Sequence, residues 1–382
     1  MKFLNVATAI SLALTCSLGA SLNIIINNDD GWATANIREF YKALRADGHN
    51  AYIVAPVEQQ SGQGGRTVFS AEAKLSRPGQ FDTVPAGAPS FGSDPMDSHI
   101  WYYNGTPAAV TFFALDYLVK RKEIFSGSDP DLIVTGPNEG SNAGPFVFTL
   151  SGTVGAAYAA VSRGIPAIAF SASDILNRKY TAVNNTGSPD PATIIGKLAT
   201  KVVNQLANKG AGSNQRLLPY GYGLNVNFPY IATKTSALAK EICVDPAFVH
   251  SRLTGGASTN FAAFNEETGI FNWASNSTSP GVNTCINGDC DLPGETDVIK
   301  ECKSAISVWT IDYDAPTCGG AVQVRALLDG LVENSGSSNG SNATVTTAAP
   351  AGPSETGAGV KIGVSRAVVA LVSTWAVGML LL

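Results

Sequence analysis

Two adjacent carboxylates at the end of a hydrophobic run are the first chemically loaded feature of this chain. "IIINNDDGW", residues 24–32, sets three isoleucines before Asn27, Asn28, Asp29, Asp30 and Gly31. Like charges side by side at the edge of an apolar interior repel each other and call for positive charge. The motif holds no Lys, Arg or His. Carboxylates with amides, hydroxyls and water are the ligand set of a hard divalent cation: magnesium, manganese or calcium. The plainer alternative is that one Asp caps the following helix. An EF-hand is excluded, because the rest of that loop is missing.

Three more polar segments carry anion chemistry. In "SGQGGRT", residues 61–67, glycines let backbone N–H groups approach a phosphate and Arg66 adds charge. The segment lacks the P-loop lysine and the spacing of a dinucleotide fingerprint. "SGTVGAA", residues 151–157, puts Ser151, Gly152 and Thr153 at a helix start. There the dipole and exposed N–H groups attract anions, or the Ser simply caps. "GPNEGSNAG", residues 136–144, offers Asn138 and Asn142 in a glycine-rich turn.

Regular elements must bring these loops together. "NIIIN" reads as a strand. "NIREFYKALRADGH" repeats Ile37, Phe40, Tyr41 and Leu44 on one helix face, with Gly48 to stop it. "NAYIVAP", "DLIVTG" and "PAIAFS" are further strands; "TPAAVTFFALDYLVKRK" and "TVGAAYAAVSRG" are helices. This alternation predicts an α/β fold with a parallel sheet covered on both faces. In such sheets ligands bind at the carboxyl ends of the strands, where three of these segments fall, after "NIIIN", "NAYIVAP" and "DLIVTG". Later, "TIIGKLATKVVNQLANKG" is a helix, and "GYGLNVNFP" and "KSAISVWTIDYDAP" are strands. Residues 243–295 read as long loops or hairpins.

In order, "NDDG", "AP…SG", "NGTP", "TGPNEGSNAG", "SGTV", "LNVNFP" and "GETD" resemble the SurE family of metal-dependent phosphatases and nucleotidases across about residues 22–330. The resemblance implies a Rossmann-like three-layer fold with a parallel-rich central sheet. It also implies C-terminal hairpin or loop extensions that assist a homodimer. It places Asp29, Asp30, Ser61 and Asn138 on metal-ligand positions, for Mg2+ or Mn2+. It places Asn142, Ser151, Gly152 and Thr153 beside the phosphate. The implied reaction is hydrolysis of a nucleoside monophosphate or other small phosphate ester by metal-activated water, with Asp29 as ligand, general base or both. Bacterial relatives carry a histidine after the late aspartate, here Asp314; Cys318 falls at that position. "NGTP" continues "AAV" where relatives often show an acid and a cysteine. The secreted character resembles the fungal acid phosphatases of the family.

Composition bounds the remaining readings. The chain has 382 residues, a net charge of −5 and 14% charged residues, so it has no broad basic surface for a nucleic-acid polymer. Residues 1–20 read as a secretory signal. Residues 334–359 read as a Ser/Thr/Gly/Pro-rich stalk, and 360–382 as a GPI-type signal or a tail anchor. Membrane contact is expected only through that anchor. Asn184, Asn276, Asn339 and Asn342 open glycosylation sequons. Cys243, Cys285, Cys290, Cys302 and Cys318 in an oxidising compartment predict two disulfides and one free thiol, with Cys285/Cys290 able to bridge a turn. A zinc site is the weaker alternative, because no histidines cluster nearby. A secreted or surface-anchored enzyme is the expected product. A non-catalytic surface glycoprotein retaining the fold is the alternative.

Overall fold

The computed structural model describes residues 21–331, apart from 175, 211–215, 234–241, 258, 277–279 and 330. The signal, stalk and anchor readings lie outside the described residues, as do Asn339 and Asn342.

The chain runs β1 (Asn23–Asn27), α1 (Ala35–Ala46), β2 (Asn50–Pro56), β3 (Phe91–Asp94), β4 (Asp97–Tyr103), α2 (Pro107–Phe113), β5 (Leu132–Glu139), α3 (Pro145–Leu150), α4 (Gly152–Ser162) and β6 (Ala167–Ala172). It continues with α5 (Pro191–Gly210), β7 (Tyr222–Phe228), β8 (Ala247–Ser251), β9 (Thr259–Asn265), β10 (Ile270–Asn276), α6 (Pro280–Asn283), α7 (Glu295–Ile299), β11 (Lys303–Thr310) and α8 (Gly320–Leu327). The described residues from Val322 onward fall in a second unit, and the fold described here is that of the first.

β1 is apolar throughout its centre because both of its faces are covered. It pairs in parallel with β2 on one side and β5 on the other, and Ile24, Ile25 and Ile26 are fully buried. Nine strands form one sheet in the order β3-β4-β2-β1-β5-β6-β7-β11-β8, while β9 and β10 make a separate hairpin. The β3/β4 and β7/β11 pairs are antiparallel; the other pairs in the sheet are parallel. α1 and α5 cover one face, where Ile24, Ile26, Phe40, Leu44 and Phe170 pack together. α2 and α4 cover the other, against Ile25, Val54, Val110, Ala157 and Ala160. The strand order reverses between β1 and β5, and α/β sheets open their ligand crevice at such a switch point.

Two elements differ from the sequence reading. β3 and β4 form a hairpin where no strand was predicted; "HIWYY" carries the aromatic pattern of a strand, but the Gly- and Pro-rich residues before it mask the boundary. β5 does not end at Gly136. Its pairing with β6 slips between Thr135 and Asn138, then resumes with Asn138 opposite Ser171. Gly136 at φ 96° makes that irregularity, and a side chain there would collide with the Phe170 carbonyl. Asn138 and Glu139 therefore stand on a strand end rather than in a turn.

Cys243 bonds Cys302 and Cys285 bonds Cys290, while Cys318 is free and exposed. Two bridges with one free thiol match the sequence reading, and the thiols proposed for zinc are consumed. The Cys243–Cys302 bridge spans 59 residues and ties α7 and β11 to the body of the domain. Replacing both cysteines by Ser is expected to cost about 3 kcal/mol or more in denaturant unfolding, because the unfolded chain regains that loop's freedom. An unchanged midpoint would show that the bridge stabilises nothing.

Candidate active site

The site begins with how "NNDDG" turns. Asn28 Oδ1 accepts from the Gly31 N–H at 3.1 Å, and its Nδ2 donates to the Gly31 carbonyl at 3.0 Å. One side chain thus closes the turn from both ends, which is what Asn does in place of a backbone turn. Asn27 anchors the strand end by donating to the Pro107 carbonyl at 2.8 Å. Gly31 takes φ 106° in a space filled by Gln80 and the Glu58 backbone, so no side chain fits there. The result is a rigid turn presenting Asp29 and Asp30, which are only 2% and 1% exposed.

Neither acid caps the following helix, because α1 begins at Thr34 without a side-chain cap. Asp29 instead lies at the start of α4. The Thr153 hydroxyl donates to its Oδ1, and Gly152 approaches so closely that a Cβ would sit 2.9 Å from the carboxylate. The same hydroxyl is 3.2 Å from Asn138 Oδ1. Asn138 turns its nitrogen away, donating to the Gly140 carbonyl at 2.7 Å, so its oxygen faces the acids. Asp30 Oδ2 accepts from the Glu139 N–H at 2.9 Å. Ser61 sits on the exposed loop after β2; that loop is pinned beside Asp29 by the Gln60 N–H, which donates to the Asp29 carbonyl at 2.6 Å. Asp29, Asp30, Asn138 and Thr153 are therefore brought together, while Ser61 is exposed on the loop whose Gln60 meets Asp29.

The electrostatics are unbalanced. No Lys, Arg or His pairs with Asp29 or Asp30 among the described residues. Burial raises the Asp29 carboxyl, while the Thr153 hydroxyl and neighbouring backbone groups pull it back. Burial raises Asp30 further, with the charges of Asp29 and Glu139 adding to it. Glu139 itself is pushed up to about 8 by burial and Asp174, against the pull of Arg178. Its carboxylate oxygens make no hydrogen bond of normal geometry. Two buried carboxylates without a counter-ion among the described residues, with the Asn138 amide oxygen and the Thr153 hydroxyl beside them, are a donor set that fits a hard divalent cation. No group of three His, Cys, Asp or Glu suited to a metal occurs among the described residues, so such an ion would also take neutral oxygens and water.

The remaining predicted residues take structural parts. Ser151 caps α4, its Oγ accepting from the Val154 N–H at 3.1 Å. Asn142 donates to Ser171 Oγ at 2.9 Å, and its backbone is gripped by Asn225 and Asn227. In "SGQGGRT" the Gly64 N–H donates to the Leu150 carbonyl, and the Gly64 carbonyl occupies the space left by the absent side chain of Gly155. That loop is docked on α4 rather than holding its Gly64 N–H open to an anion. His49 is buried between the Leu22 N–H and Asn204, a structural role. Asp314 and Cys318 are exposed beyond β11.

Two residues escaped the sequence reading. Glu139 lay inside a quoted motif but was hidden between two amides. Glu295, in "GETD", is fully buried at the head of α7. It accepts from the Gly144 N–H at 3.1 Å and from Asn225 Nδ2 at 2.9 Å, latching the 140–144 loop to the C-terminal segment. Burial lifts its carboxyl to about 7.

A parallel-rich α/β sheet with an uncompensated acid pair at its switch point defines the class of this protein. The chain belongs to the SurE family: the family described as "Survival protein SurE" matches residues 24–245. It is 44% identical over 315 residues to an acid phosphatase of Yarrowia lipolytica, covering 81% of this chain and 85% of that one. It is 36% identical over 150 residues to a 5'-nucleotidase SurE of Desulfovibrio desulfuricans, covering 39% of this chain and 49%, about half, of that relative. Both relatives are named as phosphoric monoester hydrolases. The solved SurE protein of Aquifex aeolicus shares the fold, with a TM-score of 0.52 and 20% identity, over 80% of this chain and 98% of that one.

Glu295 sets a pH signature. A carboxyl raised from 4.5 to about 7 holds its proton in the folded state after the unfolded chain has released its own. Its contribution is complete below pH of about 4.5 and is lost as the pH rises through about 7. Thermal unfolding of metal-free protein should therefore show falling stability from pH 5 to 7.5, and Glu295→Gln should make that slope shallower, the remainder coming from the other raised buried carboxyls such as Glu139. A wild-type midpoint that rises over this range would contradict the assignment.

Proposed function

We propose that this protein is a metal-dependent phosphomonoesterase acting on nucleoside monophosphates or other small phosphate esters. The observation that carries the reading is the buried Asp29/Asp30 pair, held open by Asn28 and Thr153 with no Lys, Arg or His among the described residues to neutralise it. The names of the relatives supply the reaction class.

Asp29, Asp30, the Asn138 amide oxygen and Ser61 would hold Mg2+ or Mn2+. Such an ion, when bound, offsets carboxylate repulsion, polarises a phosphoryl oxygen and acidifies water. Thr153 fixes one oxygen of Asp29, leaving the other to hold the ion or to orient water. Asn142 and the 151–153 segment would form the wall against which the phosphate lies. Catalysis is then positioning and preorganised charge, without a covalent intermediate. The two disulfides support a secreted location. The exposed Phe261, Phe264 and Phe271 of the β9/β10 hairpin support a homodimer.

Purified protein should hydrolyse phosphate esters with Mg2+ or Mn2+ and stop with EDTA. Asp30→Asn should abolish turnover yet raise the metal-free thermal midpoint by a few degrees, since it removes one of two repelling buried charges. Full activity in that variant would refute the metal role. Thr153→Val leaves Asp29 without its hydroxyl donor and should lower kcat about 10- to 100-fold in steady-state assays; a change under twofold would show that Thr153 does not position Asp29.

A further inference from the structure

The loop after β2 is pinned around the acid pair at three points. The Gln60 N–H donates to the Asp29 carbonyl at 2.6 Å, and the Gly64 N–H donates to the Leu150 carbonyl at 3.0 Å, beside the start of α4. The Thr106 hydroxyl donates to the Arg66 carbonyl at 2.6 Å and accepts from the Val68 N–H at 2.9 Å. Thr106 precedes Pro107, and Pro107 borders the acids: its Cγ lies 3.1 Å, and Asp29 Oδ2 lies 2.9 Å, from the Cβ position of Gly152. The Arg66 backbone is therefore fixed on the rim of the site, on the side where α4 begins.

Its guanidinium is uncommitted. Arg66 is exposed, and its Nη1 donates to the neutral Gln63 Oε1 at 3.3 Å. No carboxylate pairs with it among the described residues. Arg77 and Arg178, on the loops after β2 and β6, are instead each held by a carboxylate, Glu58 at 2.8 Å and Asp190. A guanidinium beside a neutral amide keeps its full charge for a partner from outside the chain.

Charge balance gives that partner its sign. A divalent ion on Asp29 and Asp30 would only cancel the two carboxylates, leaving no net attraction for a phosphate dianion. A rim guanidinium supplies the missing positive charge, and its planar fork matches two phosphoryl oxygens at once. The docked Gly64 N–H serves the loop's position, and the Arg66 side chain is the part of "SGQGGRT" left to meet an anion.

We propose that Arg66 is a further catalytic residue, donating to the phosphoryl oxygens of the bound ester and holding them against the start of α4. This rests on the phosphomonoesterase reading above. The test compares the wild type with Arg66→Ala, Arg66→Lys and Arg77→Ala in the presence of Mn2+. It reads kcat/KM for p-nitrophenyl phosphate, the affinity for inorganic phosphate by calorimetry, the Mn2+ affinity and the thermal midpoint. Arg66→Ala should weaken phosphate binding and lower kcat/KM, each about 10- to 100-fold, with Mn2+ affinity and midpoint unchanged. Arg66→Lys should recover part of both losses. Arg77→Ala, which removes an equal charge already spent on Glu58, should change neither. Phosphate affinity and kcat/KM in Arg66→Ala within about twofold of the wild type would overturn the assignment. So would a lysine no better than alanine, a loss as large in Arg77→Ala, or a parallel fall in Mn2+ affinity or midpoint. A wild type that hydrolyses no ester with metal present would overturn the phosphatase reading, and phosphate calorimetry would still decide whether Arg66 binds the anion.

Discussion

Repulsion between Asp29 and Asp30 is the constraint on which the rest of the site depends. Two carboxylates adjacent in sequence are held within an interior where water cannot screen them. No Lys or Arg among the described residues relieves this. The fold steadies one acid with the Thr153 hydroxyl and the other with the Glu139 N–H, and adds a third carboxylate, Glu139, nearby. An arrangement so costly to the folded chain alone makes physical sense as half of an ion pair whose other half is supplied from outside.

The architecture exists to hold that arrangement still. β1 is buried on both faces, so its carboxyl end is fixed by the sheet on either side. α4 brings Thr153 to Asp29, and the β5 irregularity turns Asn138 inward. The 140–144 loop is tied to β7 by Asn225 and Asn227 and to α7 by Glu295. The Cys243–Cys302 bridge secures the segment that carries Glu295. The end of the 243–295 stretch, which reads as long loops or hairpins in sequence, is thus mechanically part of the site through Glu295.

Sequence legibility followed the range of the interactions. β1, α1, β2, β6 and α4 were readable because their periodicity is local, and so was the chemistry of "NDDG". The carboxyl-end rule for α/β sheets correctly gathered loops scattered over more than a hundred residues. Thr153 was singled out for phosphate, yet its hydroxyl bonds a carboxylate 124 positions away. Glu139 meets Asp30 across 109 positions, and Glu295 meets Gly144 across 151. No local pattern encodes such pairs. The continuation of β5 past Gly136 was unreadable for a related reason: Gly-Pro looks like a stop, and only the partner strand β6 shows that pairing resumes.

The most direct test of the account is anomalous diffraction from crystals grown with Mn2+, recorded on both sides of the manganese absorption edge. The account predicts one peak per chain in contact with carboxylate oxygens of Asp29 and Asp30 and the amide oxygen of Asn138. A site that stays empty, with manganese bound elsewhere or not at all, would contradict it.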